Sequence, residues 1–295
     1  MNPIEAVSNL ADPELCYRQL APFAFHQELG LWVAASTDAA TEVLSHPHCL
    51  VRPRAELVPK GFIGTPVGLI FEQLARMTDG EHHRQARALV LGQLSKWSAP
   101  DVARAIDEVW AAMPRNPHSA MWRLPVGTLA RLLDFTATDA FHIAGQVEAF
   151  SACIAPGADL TVRLQPGIDA AVELWRAFEG RSPLEIANLI GILSQTCEAS
   201  AGYIGTGAPS VHNTRRFVDE HIGIQGTRVP AGSVILVLLR NMPFGWGRHQ
   251  CPGQALATML ATEALKRMPP LDPAGYRPSL NVRIPVVRHP DNSIK

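Results

Sequence analysis

The sequence of 295 residues has no long apolar run and almost no net charge. No window approaches the roughly 18 consecutive apolar residues that a membrane-spanning helix needs, so we expect none. The formal net charge is -1, which argues against a nucleic acid or an anionic membrane as a partner. The first residues, Met1 to Glu5, lack the basic start and apolar core of a signal peptide, which favours a cytoplasmic protein.

Cysteine is also scarce. The five residues, Cys16, Cys49, Cys153, Cys197 and Cys251, are odd in number and irregularly spaced, which is typical of free thiols in a reducing compartment. No internal repeat or low-complexity segment is present. With 47% hydrophobic and 18% charged residues, the composition is that of an ordinary globular protein, and we expect a single domain over 1-295.

Local patterns predict mostly helices with a small β region. Two short strands are expected around a turn at 28–30, and an irregular loop over 51–68. Residues 100–180 look helical, with breaks at Pro114, Pro117, Pro156 and Pro166. The fold class predicted from these patterns is mainly α.

One stretch near the C-terminus, Phe244 to Ala257, places a cysteine between a glycine-rich loop and an apolar helix. Pro252 fits the first position of that helix. Cys251 would then lie at a helix N-terminus, where free N–H groups lower a thiol pKa and favour the thiolate. Thiolate is one of the axial ligands that hold haem iron.

Cys251 could also have a structural role or belong to a different kind of site. A lone cysteine is often a buried structural residue. A zinc site built on His249 and Cys251 would need two more ligands at matching spacing, and none is nearby. A dinucleotide-binding loop would need a glycine at position 250, which is Gln250.

Written out, FGWGRHQCPGQALA resembles the haem-binding loop FGxGxHxCxGxxLA of the cytochromes P450. The resemblance implies that Cys251 is the proximal ligand of the iron in heme b. It also implies that His249 contacts a haem propionate, that Phe244 packs beside the sulfur, and that Gly253 belongs to the cofactor-binding loop.

A second motif lies on a predicted helix that begins near Asp79. His83 and Arg87 are four residues apart, so they share one face and suit two carboxylates on a flat ligand. Such a pair is more commonly just an exposed polar face. The family carries HxxxR here, and the resemblance implies that both residues bind haem propionates, together with Arg216.

The long apolar helix that begins at Pro183 resembles the family's central helix, which crosses the haem on its oxygen-binding side. There the usual motif is [AG]Gx[DE]T. Glu198 keeps the acid, Ala199 stands at the threonine position, and Ser200 or Thr196 could supply a hydroxyl. The resemblance implies proton relay by Glu198 and Ser200. The alternative is a buried core helix in which the Glu198 side chain has ordinary polar partners and no catalytic role.

The chain is shorter than its relatives. The proximal helices that the family has before position 209, one of which carries ExxR, are missing, as is the meander before 244. We therefore expect a shortened cytochrome P450 fold.

The resemblance implies a haem-thiolate monooxygenase. Such an enzyme inserts one oxygen atom from dioxygen into a small organic substrate, with electrons from a ferredoxin or flavodoxin-type donor. Two alternatives stay open: a peroxide-driven or redox-neutral haem enzyme, and a non-catalytic accessory or degenerate protein.

Overall fold

A computed structural model describes residues 2–114 and 116–287 of the chain. The structure is mainly helical, with 53% helix and 13% strand, which confirms the predicted fold class. Within these ranges no helix has the length and apolar character to cross a membrane.

The helices lie in the order of the chain and most belong to its middle. Their bounds are α1 Ala6–Asn9, α2 Glu14–Tyr17, α3 Thr37–Ser45, α4 Pro66–Phe71, α5 Gly80–Leu94, α6 Ala99–Ala112, α7 Pro117–Leu132, α8 Ala137–Ile154, α9 Leu160–Ala177, α10 Pro183–Thr206 and α11 Gln254–Arg267. Short 3-10 helices cover Lys60–Phe62, Ala75–Met77 and Gly247–His249.

The strands come from both ends of the chain. They are β1 Phe23–His26, β2 Leu31–Ala34, β3 Cys49–Leu50, β4 Asn213–Val218, β5 Ile222–Ile224, β6 Thr227–Val229, β7 Val234–Leu238, β8 Pro273–Tyr276 and β9 Pro285–Val287. Five of them form one sheet in the order β1-β2-β7-β4-β3, and the others form two-stranded pairs, β5-β6 and β8-β9. The β2-β7 pair is parallel, with Trp32 opposite Ile235, and the other pairs in the five-stranded sheet are antiparallel.

Strand β7 is buried on both faces because its side chains alternate between two cores. Ile235 and Val237 pack with α3, whereas Leu236 and Leu238 pack against the N-terminal segment that holds Tyr17. The strand therefore lies in the middle of the protein, and the chain that follows it leads directly to the cysteine loop.

Helix α10 runs through the largest core, among α4, α5, α7, α8 and α11. The helix begins at a capping box: Ser182 accepts from the backbone N–H of Glu185, whose carboxylate accepts from the N–H of Ser182. Ile190, Leu193 and Cys197 are buried. The prediction that Pro183 begins this helix is confirmed.

Residues 207–212 connect α10 to β4, and residues 239–243 lead from β7 to Phe244. Neither described segment contains a helix. The sheet therefore follows the central helix directly, and the cysteine loop follows the sheet after one turn.

Two sequence predictions about helices were wrong. Pro166 does not break a helix but lies inside α9. Its ring removes the hydrogen bond to the carbonyl of Val162, and both residues lie on the exposed side, where water can satisfy that carbonyl. Pro252 is not the first residue of α11, because residues 252 and 253 form a turn and the helix begins at Gln254.

Candidate functional site

The cysteine loop is closed by a backbone hydrogen bond between its ends. The N–H of Cys251 donates to the carbonyl of Phe244 at 2.8 Å, and the N–H of Gly245 donates to Met242 at 2.8 Å. Gly245 and Gly247 have φ of 74° and 68°, which side chains rarely tolerate. The two glycines therefore set the turn that presents Cys251.

Cys251 is accessible, and its side chain lies on the wall of a large cavity. Desolvation raises the pKa of its thiol, while the N–H of Gly253 and the charge of Arg87 act in the opposite direction. The predicted lowering of this pKa was wrong. The sulfur does receive the N–H of Gly253, the N-cap of α11, but desolvation has the larger effect on the pKa.

Arg248 anchors the loop to the rest of the protein through three separate groups. Its guanidinium donates to the carbonyls of His46 at 3.1 Å and Cys49 at 2.8 Å, and lies 3.3 Å from the Asp79 carboxylate. Charge-assisted bonds of this kind are among the stronger ones in proteins. The loop is thereby tied to the end of α3, to β3 and to the start of α5.

Asp79 also forms a hydrogen bond with a second residue of the cysteine loop. The Nε2 atom of His249 lies 3.0 Å from Oδ1 of Asp79, while Oδ2 accepts from the N–H of Val51 at 2.8 Å. Burial alone would raise the pKa of Asp79, but these hydrogen bonds lower it to about 2. Burial lowers the pKa of His249 to about 4, so at neutral pH the neutral ring donates its Nε2–H to the carboxylate.

His83 joins α5 to the same loop. Its Nδ1 lies 2.7 Å from the carbonyl of Ala75, and its Nε2 lies 3.1 Å from the carbonyl of Arg248. Its ring centroid is 4.1 Å from that of His249. The two histidines named by the motifs are therefore brought into contact, and one turn further along α5 Arg87 donates to the carbonyl of Gln250 at 2.8 Å.

Arg216 lies on β4 and is almost fully buried at the cavity. Its Nη1 donates to the carbonyl of Arg215 at 2.8 Å and to the hydroxyl of Thr214 at 3.2 Å. Its Nε, although buried, has no hydrogen-bond partner in the described part of the chain. A buried guanidinium with an unpaired donor destabilises the folded protein. Such a donor is typical of a residue that binds an anionic ligand.

The cavity has a volume of about 690 Å³, and all nine predicted site residues line it. These are His83, Arg87, Glu198, Ser200, Arg216, Phe244, His249, Cys251 and Gly253. Arg52, Arg76 and Arg215 also line it, so its walls carry several cations beside the carboxylate of Glu198. A volume of this order is typical of sites for small organic ligands or cofactors.

The α10 wall of the cavity holds the predicted relay residues. Burial raises the pKa of Glu198, an effect that Arg277 and Arg76 oppose. Ser200 is two positions further on, about 200° around the helix, so the two side chains leave different faces. The Thr196 hydroxyl donates to the carbonyl of Ile192 at 2.9 Å, within the helix.

Arg76 and Asn188 are cavity and support residues that the sequence motifs did not indicate. Arg76 lines the cavity from the 3-10 helix before α5, and Asn188 fixes that segment to α10. An arginine in a loop and an asparagine in an apolar helix carry no spacing signal. The polar Asn188 within an otherwise apolar run was the one available sign.

No family model and no curated protein sequence matches the chain. Solved structures do match, over nearly the whole of both chains. CalO2 has 16% sequence identity and a TM-score of 0.77, with 97% of each chain covered. P450BioI, in complex with a fatty-acyl-ligated acyl carrier protein, has 18% identity and a TM-score of 0.73, with 94% of this chain and 97% of that chain covered.

The cytochrome P450 CYP109B1 from Bacillus subtilis has 16% identity and a TM-score of 0.68, with 94% of this chain and 98% of that chain covered. Identities of this size show the fold alone. The chain has the cytochrome P450 fold, in a form shorter than is typical.

Proposed function

We propose that the chain is a haem-thiolate oxidoreductase of the monooxygenase type, with Cys251 as the iron ligand of heme b. The observation that carries the proposal is the position of Cys251. Its side chain is presented by a loop closed by a hydrogen bond between its ends, and it faces a cavity of about 690 Å³ whose wall holds cationic donors without a partner in the described residues. Such a wall suits a flat apolar group that carries carboxylates.

The residues present fit haem. The unpaired Nε of Arg216 is a buried donor that a propionate would satisfy. Arg87 and His249 reach the same cavity, and apolar side chains such as Leu256 and Leu260 form part of its wall. In the described part of the chain no group of three or more His, Cys, Asp or Glu side chains could hold a bare metal ion, which makes a zinc site at Cys251 a poor alternative.

The work of the protein in this proposal is binding and orientation. Arg87 and Arg216 would hold the carboxylates, and Phe244 would pack beside the sulfur. His83 and His249 stay predicted propionate ligands, and to bind a carboxylate they would have to give up their present contacts with the carbonyls of Ala75 and Arg248 and with Asp79. The N–H of Gly253 donates to the Cys251 sulfur, which stabilises its negative charge. When bound, thiolate-ligated haem supplies activation of dioxygen and insertion of one oxygen atom into the substrate.

The carboxyl group of Glu198 would hold a proton and release it into the cavity. Burial raises its pKa, so the carboxyl keeps its proton at higher pH than an exposed glutamate does and can act as a general acid. Ser200 stays a prediction as its partner. Since its side chain leaves another face of α10, a proton passing between the two residues would need a bridging group.

An external ferredoxin or flavodoxin-type donor, a small organic substrate and a cytoplasmic location belong to the same proposal. Its support is the resemblance of the motifs and the fold.

A peroxide-driven reaction is the second candidate. Ala199 has no hydroxyl at the position where the family motif has threonine, and Ser200 does not share a face with Glu198. Turnover with peroxide but not with dioxygen and a reductase would favour this candidate. A non-catalytic protein is the third, and the absence of bound haem would favour it.

The decisive experiment is the absorption spectrum of the reduced, carbon-monoxide-bound protein after haem supplementation. We expect a red-shifted Soret band that is lost in Cys251→Ala and retained in Cys153→Ala, a matched control on another part of the cavity wall. No haem uptake, or the same band in Cys251→Ala, would exclude thiolate ligation by Cys251.

A further inference from the structure

Arg76 is a partly buried cation whose Nε donor is unused. It lies in the 3-10 helix Ala75–Met77 and lines the cavity. Its Nε is buried and has no hydrogen-bond partner in residues 2–114 and 116–287. Desolvation lowers its pKa to about 10, so the guanidinium stays charged at neutral pH despite its burial. A desolvated charge of this kind costs free energy unless an anion pairs with it.

The segment that carries Arg76 is fixed against α10. Oδ1 of Asn188 accepts from the N–H of Ala75 at 2.9 Å, and its Nδ2 donates to the carbonyl of Gln73 at 2.9 Å. One turn along α10, a Cβ at Gly191 would lie only 2.9 Å from a methyl of Leu74, so the segment rests directly on the helix. Arg76 is therefore held on the α10 side of the cavity.

The charges near Arg76 differ from those near Arg216. Glu198 is the charged group that acts on Arg76, whereas Asp79 and Arg248 act on Arg216. The two arginines therefore belong to two separate electrostatic groups. Arg216 borders the cysteine loop, and Arg76 borders the middle of α10.

The charged residues near the middle of α10, namely Glu198, Arg76 and Arg277, carry more positive than negative charge. Glu198 is stabilised first by Arg277 and then by Arg76, so one carboxylate faces two guanidinium groups. Arg277 has a further contact, since its guanidinium lies 4.9 Å from the ring centroid of Trp122. Arg76 therefore shares the one carboxylate of Glu198 with Arg277, and it has no carboxylate when Glu198 is protonated.

The surrounding wall is apolar. It includes Phe62, Ile154, Leu160, Ile192, Val211 and Val282. In such surroundings a charged hydrogen bond is stronger than it is in water, and a ligand that lacks the anion leaves the donor unpaired. The cavity thus combines a large apolar surface with two cations, Arg76 and Arg216, that each keep an unpaired donor, and Arg76 is the one on the α10 side.

We propose that Arg76 binds the carboxylate of an apolar substrate in this cavity, so that the preferred substrates are organic acids. The assignment rests on the proposed function, since it specifies the substrate class of the same site. It gives Arg76 the role of a specificity determinant: the carboxylate end lies at Arg76, and the apolar body fills the rest of the chamber.

The test compares acids with neutral molecules of the same shape by calorimetric titration of the haem-loaded protein. The probe pairs are dodecanoate with dodecan-1-ol, and 2-naphthoate with 2-naphthamide. We expect the wild type to bind at least one acid roughly 10- to 100-fold more tightly than its neutral partner. Arg76→Gln should remove this preference, and Arg76→Lys should restore part of it.

Arg52→Gln is the matched control, because Arg52 also lines the cavity but already binds the carboxylate and carbonyl of Glu56. It should leave the preference unchanged. The proposal is overturned if neither acid binds the wild type more tightly than its neutral partner, or if Arg76→Gln keeps the wild-type preference. Loss of haem in Arg76→Gln with an unchanged preference would assign Arg76 to a haem carboxylate instead.

The haem spectrum separates this inference from the proposed function. If the wild type shows thiolate-ligated haem but no acid preference, only the substrate assignment fails. If the protein takes up no haem, the proposed function fails, and the titrations are repeated on the haem-free protein. An acid preference that disappears in Arg76→Gln but persists in Arg216→Gln would then still support Arg76 as the anion site, and the reverse pattern would reject it.

Discussion

His249 and Asp79, 170 residues apart in the chain, are joined by a hydrogen bond of 3.0 Å between Nε2 and Oδ1. Asp79 stands at the N-cap of α5, yet its side chain does not cap that helix. Its carboxylate is used instead by Val51, Arg248 and His249. One side chain therefore links the cysteine loop to the start of α5 and to the segment after β3.

Replacement of Asp79 by asparagine should destabilise the protein by about 1–3 kcal/mol at neutral pH, because a partly buried ion pair and a hydrogen bond are lost. The folded pKa of Asp79 is about 2, below the unfolded value of about 3.9. Its contribution is therefore fully present above the unfolded pKa and is lost as pH falls towards 2. Urea unfolding from pH 7 to pH 2.5 measures this.

Glu81→Gln is the control for Asp79→Asn, because Glu81 lies in the first turn of the same helix and is exposed. It should change the unfolding free energy very little. Equal stability losses in Asp79→Asn at pH 7 and pH 2.5 would contradict the assigned pKa.

Arg216→Gln should weaken haem binding by roughly 10- to 100-fold, since a charge-assisted bond to a propionate is worth about 1.5–3 kcal/mol. The measurement is haem transfer to an acceptor protein, followed by absorbance. Arg215→Gln, on the neighbouring position of β4, serves as a matched comparison and should have the smaller effect. Equal haem retention in the wild type and Arg216→Gln would remove Arg216 from the cofactor site.

Glu198→Gln should increase the unfolding free energy relative to the wild type, and this increase should be larger at neutral pH than at pH 4. Burial raises the folded pKa of Glu198 above the unfolded value of about 4.3. The contribution of Glu198 to wild-type stability is therefore fully present below the unfolded pKa and falls as pH rises through the folded pKa, a loss that glutamine avoids. Parallel unfolding curves at pH 4, 5.5 and 7 measure the difference, and a constant offset would contradict the raised pKa.

Asn188→Ala should cost about 1–3 kcal/mol of unfolding free energy, because the N–H of Ala75 and the carbonyl of Gln73 lose their partner in a buried position. Gln195→Ala, two turns further along α10, is the control. Within the described residues its amide donates to the carbonyl of Gly191 in the same helix and has no other hydrogen-bond partner, and its side chain is exposed. Denaturant unfolding of both variants should separate them by at least about 1 kcal/mol, the low end of the expected cost.

Two helical glycines should respond in opposite directions to alanine. A Cβ at Gly202 would lie 2.1 Å from the Ser210 hydroxyl and 2.6 Å from the carbonyl of Arg283, so Gly202→Ala should destabilise by about 1–3 kcal/mol or more. At Gly92 nothing lies within 4 Å, and Gly92→Ala should stabilise by about 0.5–1 kcal/mol. Thermal unfolding checks both, and equal effects would contradict the close contact at Gly202.

The fold and the cysteine loop could be predicted from sequence because their signals are local. The spacing of glycines around Cys251, the four-residue step from His83 to Arg87 and the apolar run after Pro183 each specify a backbone geometry by themselves. The structure brings these segments to one cavity. Their roles toward a cofactor remain predictions.

Several features depend on contacts that no local pattern encodes. The thiol pKa of Cys251 depends mainly on how far the folded protein removes the sulfur from water, which follows from tertiary packing. Pro166 is tolerated because its side of α9 faces solvent, which the sequence alone does not reveal. The position of Arg76 depends on Asn188, which is distant in the chain and bonds to the segment just before it.

The parallel pairing of β2 with β7 joins Trp32 to Ile235, across most of the helices. During synthesis, β2 leaves the ribosome long before its partner exists, and the helices between them must emerge first. Pairings between such distant segments form slowly. The cysteine loop follows β7 directly, so the cavity receives this wall only after the helices from α3 to α10 have been made. A cofactor held by Cys251 would therefore acquire its ligand only after the segments that form those helices have been synthesised.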